Sequence, residues 1–181
     1  MPPKCKFTKD EIVSASLDLI RAQGYSAVTA RSVAAALNAS PKVIFSAFQN
    51  MEELLHETLI AANNLYESYL AEDMQKGEYP PYKASGMAYI RFATEEKELF
   101  RLLFMRDRSK EPPDLTLPED VLSVLQKTTG MTRDQALQFH LKMWIYVHGI
   151  ATMIATNFRT FTTEEISILI SDAFQPMKER V

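Results

Sequence analysis

The stretch from Thr29 to Phe48, TARSVAAALNASPKVIFSAF, constrains the fold more than any other part of the chain. It reads as two short helices joined by a tight corner. Thr29 supplies an N-cap for the first, because its hydroxyl oxygen accepts a free backbone N–H of the opening turn. Val33, Ala34 and Leu37 then fall on one apolar stripe of a helix face. Asn38 follows, the non-glycine residue best suited to a left-handed helix end. Ser40 is placed as a second N-cap, with Pro41 at the first helical position, where its missing N–H costs nothing. Ile44 and Phe48 are spaced to face inward, which leaves Lys42, Val43, Phe45 and Ser46 nearer the outside. A second helix opening so soon after a first one closes, with small alanines at the corner, is the helix-turn-helix pattern.

The rest of the chain reads as helices too. Thr8 and Glu11 make a capping box, Phe7 and Ile12 the matching staple, and Gly24 the stop of a first helix. A fourth helix opens at Asn50, with Glu53 as box partner, and its apolar positions carry it to about Met74. At roughly 36 Å it is long enough to touch a head at one end and a body at the other, the natural lever between them. A loop at Lys76–Pro81 precedes helices over about 82–95 and through Leu99–Met105. A second loop runs from Arg106 to Leu117, and a seventh helix from Pro118 to a stop at Gly130. The box at Thr132–Gln135 opens an eighth helix reaching about Asn157, and Thr162–Glu165 opens a ninth that Pro176 should end. The second half of the eighth helix is apolar nearly all round, so it must be covered on more than one side. The expected fold is all-α, with about nine helices, a DNA-binding domain at 1–48 and a ligand-binding and dimerisation domain at 49–181.

Charge supports a division of labour. Residues 1–50 carry six basic side chains against three acidic ones, a net of +3, whereas the whole chain is −3. A basic head on an acidic body suits a nucleic-acid reader joined to a domain with another task. Residues 1–6 form a short basic arm, either a DNA contact or a frayed end. No apolar run is long enough for a transmembrane helix, no membrane partner is expected, and the start, MPPKCKF, lacks the apolar stretch of a signal peptide. The expected location is the cytoplasm. Cys5 reads as an ordinary exposed thiol. No cofactor is expected. Glu53 and His56 form one Glu-x-x-His with no second copy, so no metal site is expected. With no Gly-x-Ser-x-Gly, no Cys/His pair at useful spacing and no glycine-rich phosphate loop, nothing marks an enzyme.

Phe7, Ile12, Gly24-Tyr25, Thr29, Val33-Ala34, Leu37, Asn38-Ala39-Ser40, Ile44-Phe45, Phe48, Asn50 and Glu53-Leu54 form an ordered set. In that order they resemble the TetR family of bacterial transcriptional regulators over roughly the first 55 residues. The resemblance implies a double-stranded DNA operator as partner. Thr29, Arg31 and Ser32, in the first turn of the second helix, are placed to meet a phosphate, although Arg31 also reads as a plain solvated charge. Ser40, Pro41, Lys42 and Val43 open the recognition helix; Lys42 suits guanine or phosphate and Val43 a thymine methyl. Phe45, Ser46 and Asn50 complete the candidate DNA set. The chain departs from the family where Phe45 and Met51 stand, positions where a tyrosine and a lysine commonly meet phosphate, and where Ala47 replaces a frequent aromatic or histidine.

Trp144 and His148-Gly149 match a Trp-x-x-x-His-Gly signature and resemble a class of C-terminal domains in the same family named for those residues. Gly149 inside a helix costs about 1 kcal/mol against alanine, which suggests that it admits a close neighbour. The candidate effector-lining residues are Tyr66, Tyr89, Phe92, Phe100, Phe104, Met143, Trp144 and His148, against the alternative that aromatic stripes are plain core and His148 a satisfied buried histidine. Few charges fall on these faces, so an apolar or aromatic small molecule is the expected effector. Pairing of the helices near 133–157 and 163–175 with a second copy is the homodimer the resemblance implies. The expected function is a ligand-responsive regulator, a repressor released from a palindromic operator. The alternative is a homolog that has lost DNA binding and acts through protein partners, suggested by Phe45 and Met51.

Overall fold

The computed structural model describes residues 7–109 and 119–179. Among them are nine α-helices, one 3-10 turn at Tyr25–Ala27 and no strand. The helices are α1 (Lys9–Gln23), α2 (Ala30–Ala36), α3 (Lys42–Ala47), α4 (Met51–Lys76), α5 (Pro81–Glu95), α6 (Lys97–Phe104), α7 (Glu119–Thr129), α8 (Arg133–Ala155) and α9 (Thr163–Lys178). The basic arm, Cys5, most of the Arg106–Leu117 loop and the proline expected to start α7 lie outside the described residues.

The chain forms two compact units. One comprises Met1–Leu65 with Glu96–Arg106, the other Tyr66–Glu95 with Asp107–Val181. The first holds α1, α2, α3, the opening of α4, and α6. Ile12, Ile20, Val33, Ile44, Phe48, Leu54, Leu99 and Phe100 are among its buried apolar side chains. Local chemistry sets its helix ends. Thr8 and Glu11 cap α1 reciprocally, and Gly24 ends it at φ 80°. Asn38 takes φ 51°, the left-handed turn expected at the corner. Asn50 caps α4 by accepting the Glu53 N–H at 2.8 Å, while Glu53 reaches one residue further back, to the Gln49 N–H at 2.6 Å. The same glutamate pairs with Lys9 at 2.6 Å, and the Lys9 ammonium lies 4.9 Å from the Phe48 ring centre. Between α1 and α6, Arg21 grips both oxygens of Glu96 at 2.8 and 2.9 Å.

The expectation for Ser40 is corrected. The structure begins α3 at Lys42, and no side-chain hydrogen bond caps it. Pro41 is already helical at φ −55°, and the Ser40 carbonyl accepts the Val43 N–H at 3.0 Å. The chain enters the helix through a tight backbone turn, and that turn satisfies the first donor.

The second unit is arranged around α5, whose Tyr82, Ala84, Ser85, Met87, Ala88, Tyr89, Ile90, Phe92 and Ala93 are all buried. α7, α8 and α9 pack against it. At Gly86 a Cβ would stand in ordinary contact, 3.4 Å from Ile170 Cδ1 and 3.7 Å from Val147 Cγ2. The end of α4 is fixed to α5 by Arg91, which bonds Asp73 at 3.0 Å, pairs with Glu72 at 2.9 Å and lies 4.2 Å over the Tyr69 ring. Pro176 does not end α9, which continues to Lys178. A proline this near the C-terminus removes a single donor, and the Glu179 N–H resumes the ladder at the Gln175 carbonyl, 3.1 Å away. Within one chain α8 packs against α5, α7 and α9, and Leu141, Ile145 and Met153 of its apolar surface stay exposed.

Phe45 and Phe48 lie three residues apart on opposite sides of this packing: Phe48 is buried and Phe45 is 53% exposed. Phe48→Ala is expected to destabilise the protein by about 3–5 kcal/mol, the usual cost of emptying a buried aromatic site. Phe45→Ala should stay within about 0.5 kcal/mol of wild type. Urea denaturation followed by helical circular dichroism checks both.

Candidate functional site

The helix-turn-helix side chains divide sharply by burial. Ile44 on α3 and Val33 and Ala34 on α2 are buried, whereas Arg31, Ser40, Pro41, Lys42, Phe45, Ser46 and Asn50 are exposed and Val43 is half-buried. The hydroxyls are largely committed inside the protein. Thr29 Oγ1 accepts the Ser32 N–H at 3.1 Å, and Ser32 Oγ accepts the Thr29 N–H at 2.9 Å and donates to the Ala27 carbonyl at 2.6 Å. Ser46 Oγ donates to the Val43 carbonyl at 2.7 Å. The Asn50 side-chain oxygen serves its cap. Arg31 and Lys42 are the exposed cations of this stretch, and among the described residues neither enters an ion pair.

In the second unit the structure brings together Tyr66, Tyr89, Phe92, Trp144 and His148. The Tyr66 ring centre lies 5.8 Å from Tyr89 and 5.4 Å from Phe92, both edge-on. Trp144 stacks on His148 at 4.9 Å with planes 21° apart. Tyr89 Oη lies 2.8 Å from His148 Nδ1 and also takes a hydrogen bond from Trp144. An indole N–H only donates, so the Tyr89 oxygen accepts it, while the direction of the Tyr89–His148 bond follows the imidazole tautomer. Trp144 and His148 therefore both serve Tyr89. Met143 is buried on the same helix. Phe100 and Phe104 stand on α6 in the other unit, 5.1 Å apart. Among the described residues, no cluster of His, Cys, Asp and Glu comes together to hold a metal.

Sequence reasoning missed a parallel pair. Tyr82 Oη lies 3.0 Å from His140 Nδ1, and Phe139 and Phe174 pack around the tyrosine at ring distances of 6.0 Å. The signal was there: Tyr82 and Tyr89 are two turns apart on α5, and His140 and His148 about two turns apart on α8. Burial raises the pKa of all three phenols, Tyr66, Tyr82 and Tyr89, above the ordinary tyrosine value. Burial also lowers both histidines, His140 from 6.5 to about 4, so each is a neutral imidazole at neutral pH. A further polar atom in this helix is Thr152 Oγ1, buried and without a hydrogen-bond partner.

Residues 12–58 match the sequence profile of the bacterial regulatory proteins of the tetR family, and residues 82–168 match that of the tetracyclin repressor-like C-terminal domain. The chain belongs to the TetR family. It carries that family's helix-turn-helix and a helical C-terminal domain. Two solved structures share this TetR fold. A transcriptional regulator from Pseudomonas aeruginosa PAO1 is 15% identical, with 94% of this chain and 90% of that one covered at a TM-score of 0.69. The flavonoid-responsive regulator FrrA is 18% identical, with 95% of each chain covered at a TM-score of 0.57. No curated protein matches the sequence.

His140 makes stability depend on pH. Its folded value, about 4, lies below the 6.5 of an unfolded histidine, so the unfolded chain binds the proton first as pH falls. The stabilisation is complete above about 6.5 and is lost between there and about 4, amounting to at most about 3 kcal/mol. Urea midpoints should therefore fall between pH 7 and pH 5, and His140→Gln should flatten that stretch of the profile.

Proposed function

We propose that this TetR-family chain is a homodimeric repressor that binds a palindromic operator and is released by a small apolar or aromatic effector. The observation that carries the DNA reading is the face of α3. Its buried Ile44 holds it to the first unit, while Lys42, Phe45 and Ser46 point to solvent. Lys42 suits a guanine edge or a phosphate, and Arg31, at the start of α2, suits a phosphate. A helix of six residues makes few contacts, so specific binding calls for two copies reading half-sites about 34–36 Å apart.

The surface for a second copy lies on α8 and α9. Leu141, Ile145 and Met153 recur at helical spacing and are exposed, Ile145 at 59%. Gly149 falls in the same row, and among the described residues no side chain or neighbouring element comes within 4 Å of where a Cβ would stand. Ile168 on α9 and Phe158 between the helices are exposed too. An isologous pairing of α8 and α9 would cover this row and bring a neighbour to Gly149.

The effector reading is supported by the aromatic cluster of Tyr66, Tyr89, Phe92, Trp144 and His148, with buried Met143 and the unpartnered Thr152 hydroxyl on the helix that carries the last two. α4 contributes to both units and is about 39 Å long, the element through which an effector would change the spacing of the heads. The effector acts only by its difference in affinity for the two spacings. FrrA is a flavonoid-responsive regulator, so flavonoids belong in an effector panel.

A gel shift with duplex flanking the chain's own gene tests the DNA reading and its competitor, a TetR homolog that acts only through protein partners. The expected outcome is retention at low salt, with Lys42→Ala weakening binding and reducing the slope of log affinity against log salt by about one unit. No retention even at low salt favours the competitor. Light scattering tests the dimer: wild type should have twice the chain mass and Ile145→Glu should be monomeric. A dimer that tolerates a glutamate there pairs by another surface.

A further inference from the structure

We propose that Phe45 determines sequence specificity by packing on the 5-methyl group of thymine in the major groove. The inference rests on the DNA reading above and deepens it. Phe45 is 53% exposed, the most exposed large apolar side chain described in the first unit. It does not support the core, because Ile44 and Phe48 fill the inner side of this segment and are almost fully buried. Leaving a phenyl ring in water forgoes burial at roughly 25 cal/mol per Å².

The surroundings of the ring narrow what covers it. Lys42 precedes it by three residues on the same helix, so cation and ring share one face. Arg31 adds a second exposed cation on α2, and among the described residues neither cation is paired. A single ring on a six-residue helix is far smaller than the ~800 Å² per side of a stable protein interface. A cationic rim around one apolar group fits duplex DNA, where the backbone is anionic and the thymine methyl is the apolar feature of the major groove. A phenyl ring has no donor or acceptor for a phosphate or a base edge, so methyl contact is the readout its chemistry allows. Val43, half-buried on the same helix, is the competing source of a methyl contact.

The test uses a duplex selected by the full-length protein from a random-sequence pool, with each thymine replaced in turn by uracil. That change removes the methyl and nothing else. Wild type should lose about fourfold in affinity at one thymine position per half-site, the worth of one buried methyl. Phe45→Ala, which should fold normally, should bind thymine and uracil duplexes equally, while Val43→Ala should keep the discrimination. If no replacement weakens wild type twofold, or if Phe45→Ala discriminates as well as wild type, the assignment to Phe45 is wrong although DNA binding stands. Loss of discrimination in Val43→Ala alone moves the contact to that residue. If the pool yields no retained duplex at low salt, the DNA reading fails and takes this inference with it.

Discussion

A helix buried on nearly all sides must have every polar side chain answered, and α5 carries two phenols into the centre of its unit. Each meets a histidine of α8, Tyr82 with His140 at 3.0 Å and Tyr89 with His148 at 2.8 Å. An unpartnered buried hydroxyl costs about 1–3 kcal/mol, so the two pairs fix which residues of α5 and α8 can lie side by side. A shift of either helix by one residue would break both. Gly86 lies between the two tyrosines on the same stripe of α5, where a Cβ would meet Val147 of α8 and Ile170 of α9. The register of the C-terminal unit is thus set by two polar pairs, with ordinary apolar packing between them.

The same geometry explains the Trp-x-x-x-His-Gly sequence. One helical turn separates Trp144 from His148, so the two rings stack and both reach the Tyr89 oxygen. Gly149, the next residue, turns away from that cluster onto a row where its own chain leaves open space. The three residues face two directions. Two of them organise the interior of the unit, and the third belongs to a surface the chain does not cover.

What was legible in the sequence was local. The boxes at Thr8, Thr132 and Thr162, the stop at Gly24 and the left-handed Asn38 each depend on residues within a few positions, and all formed. Ser40 also looked local, but a backbone turn satisfied the donor that its side chain was expected to take. What was not legible joins distant positions. The Tyr–His pairs span 58 and 59 residues, and Arg21–Glu96 spans 75. Nothing in α6 alone marks it as a neighbour of α1, because an amphipathic stripe states that a face is buried and not against what. The candidate DNA residues were legible as positions, but not in their availability: Ser32 and Ser46 proved to spend their hydroxyl protons on nearby carbonyls.

That spending bears on how the proposed reader would work. With those hydroxyl protons committed, the helix-turn-helix offers mainly the charges of Arg31 and Lys42 and the ring of Phe45. Two cations give weak binding that salt readily dissolves, and one ring discriminates only modestly. A single head of this kind is a poor reader. Two heads held by one body add their contacts without a second cost of association, so the gain comes from geometry and not from better chemistry in either head. The exposed row Leu141–Ile145–Gly149–Met153 is then more than leftover apolar surface. In the proposed dimer it lets a sparse α3 suffice, and the weakness of each head makes release possible, since a modest change in spacing removes the advantage of binding twice.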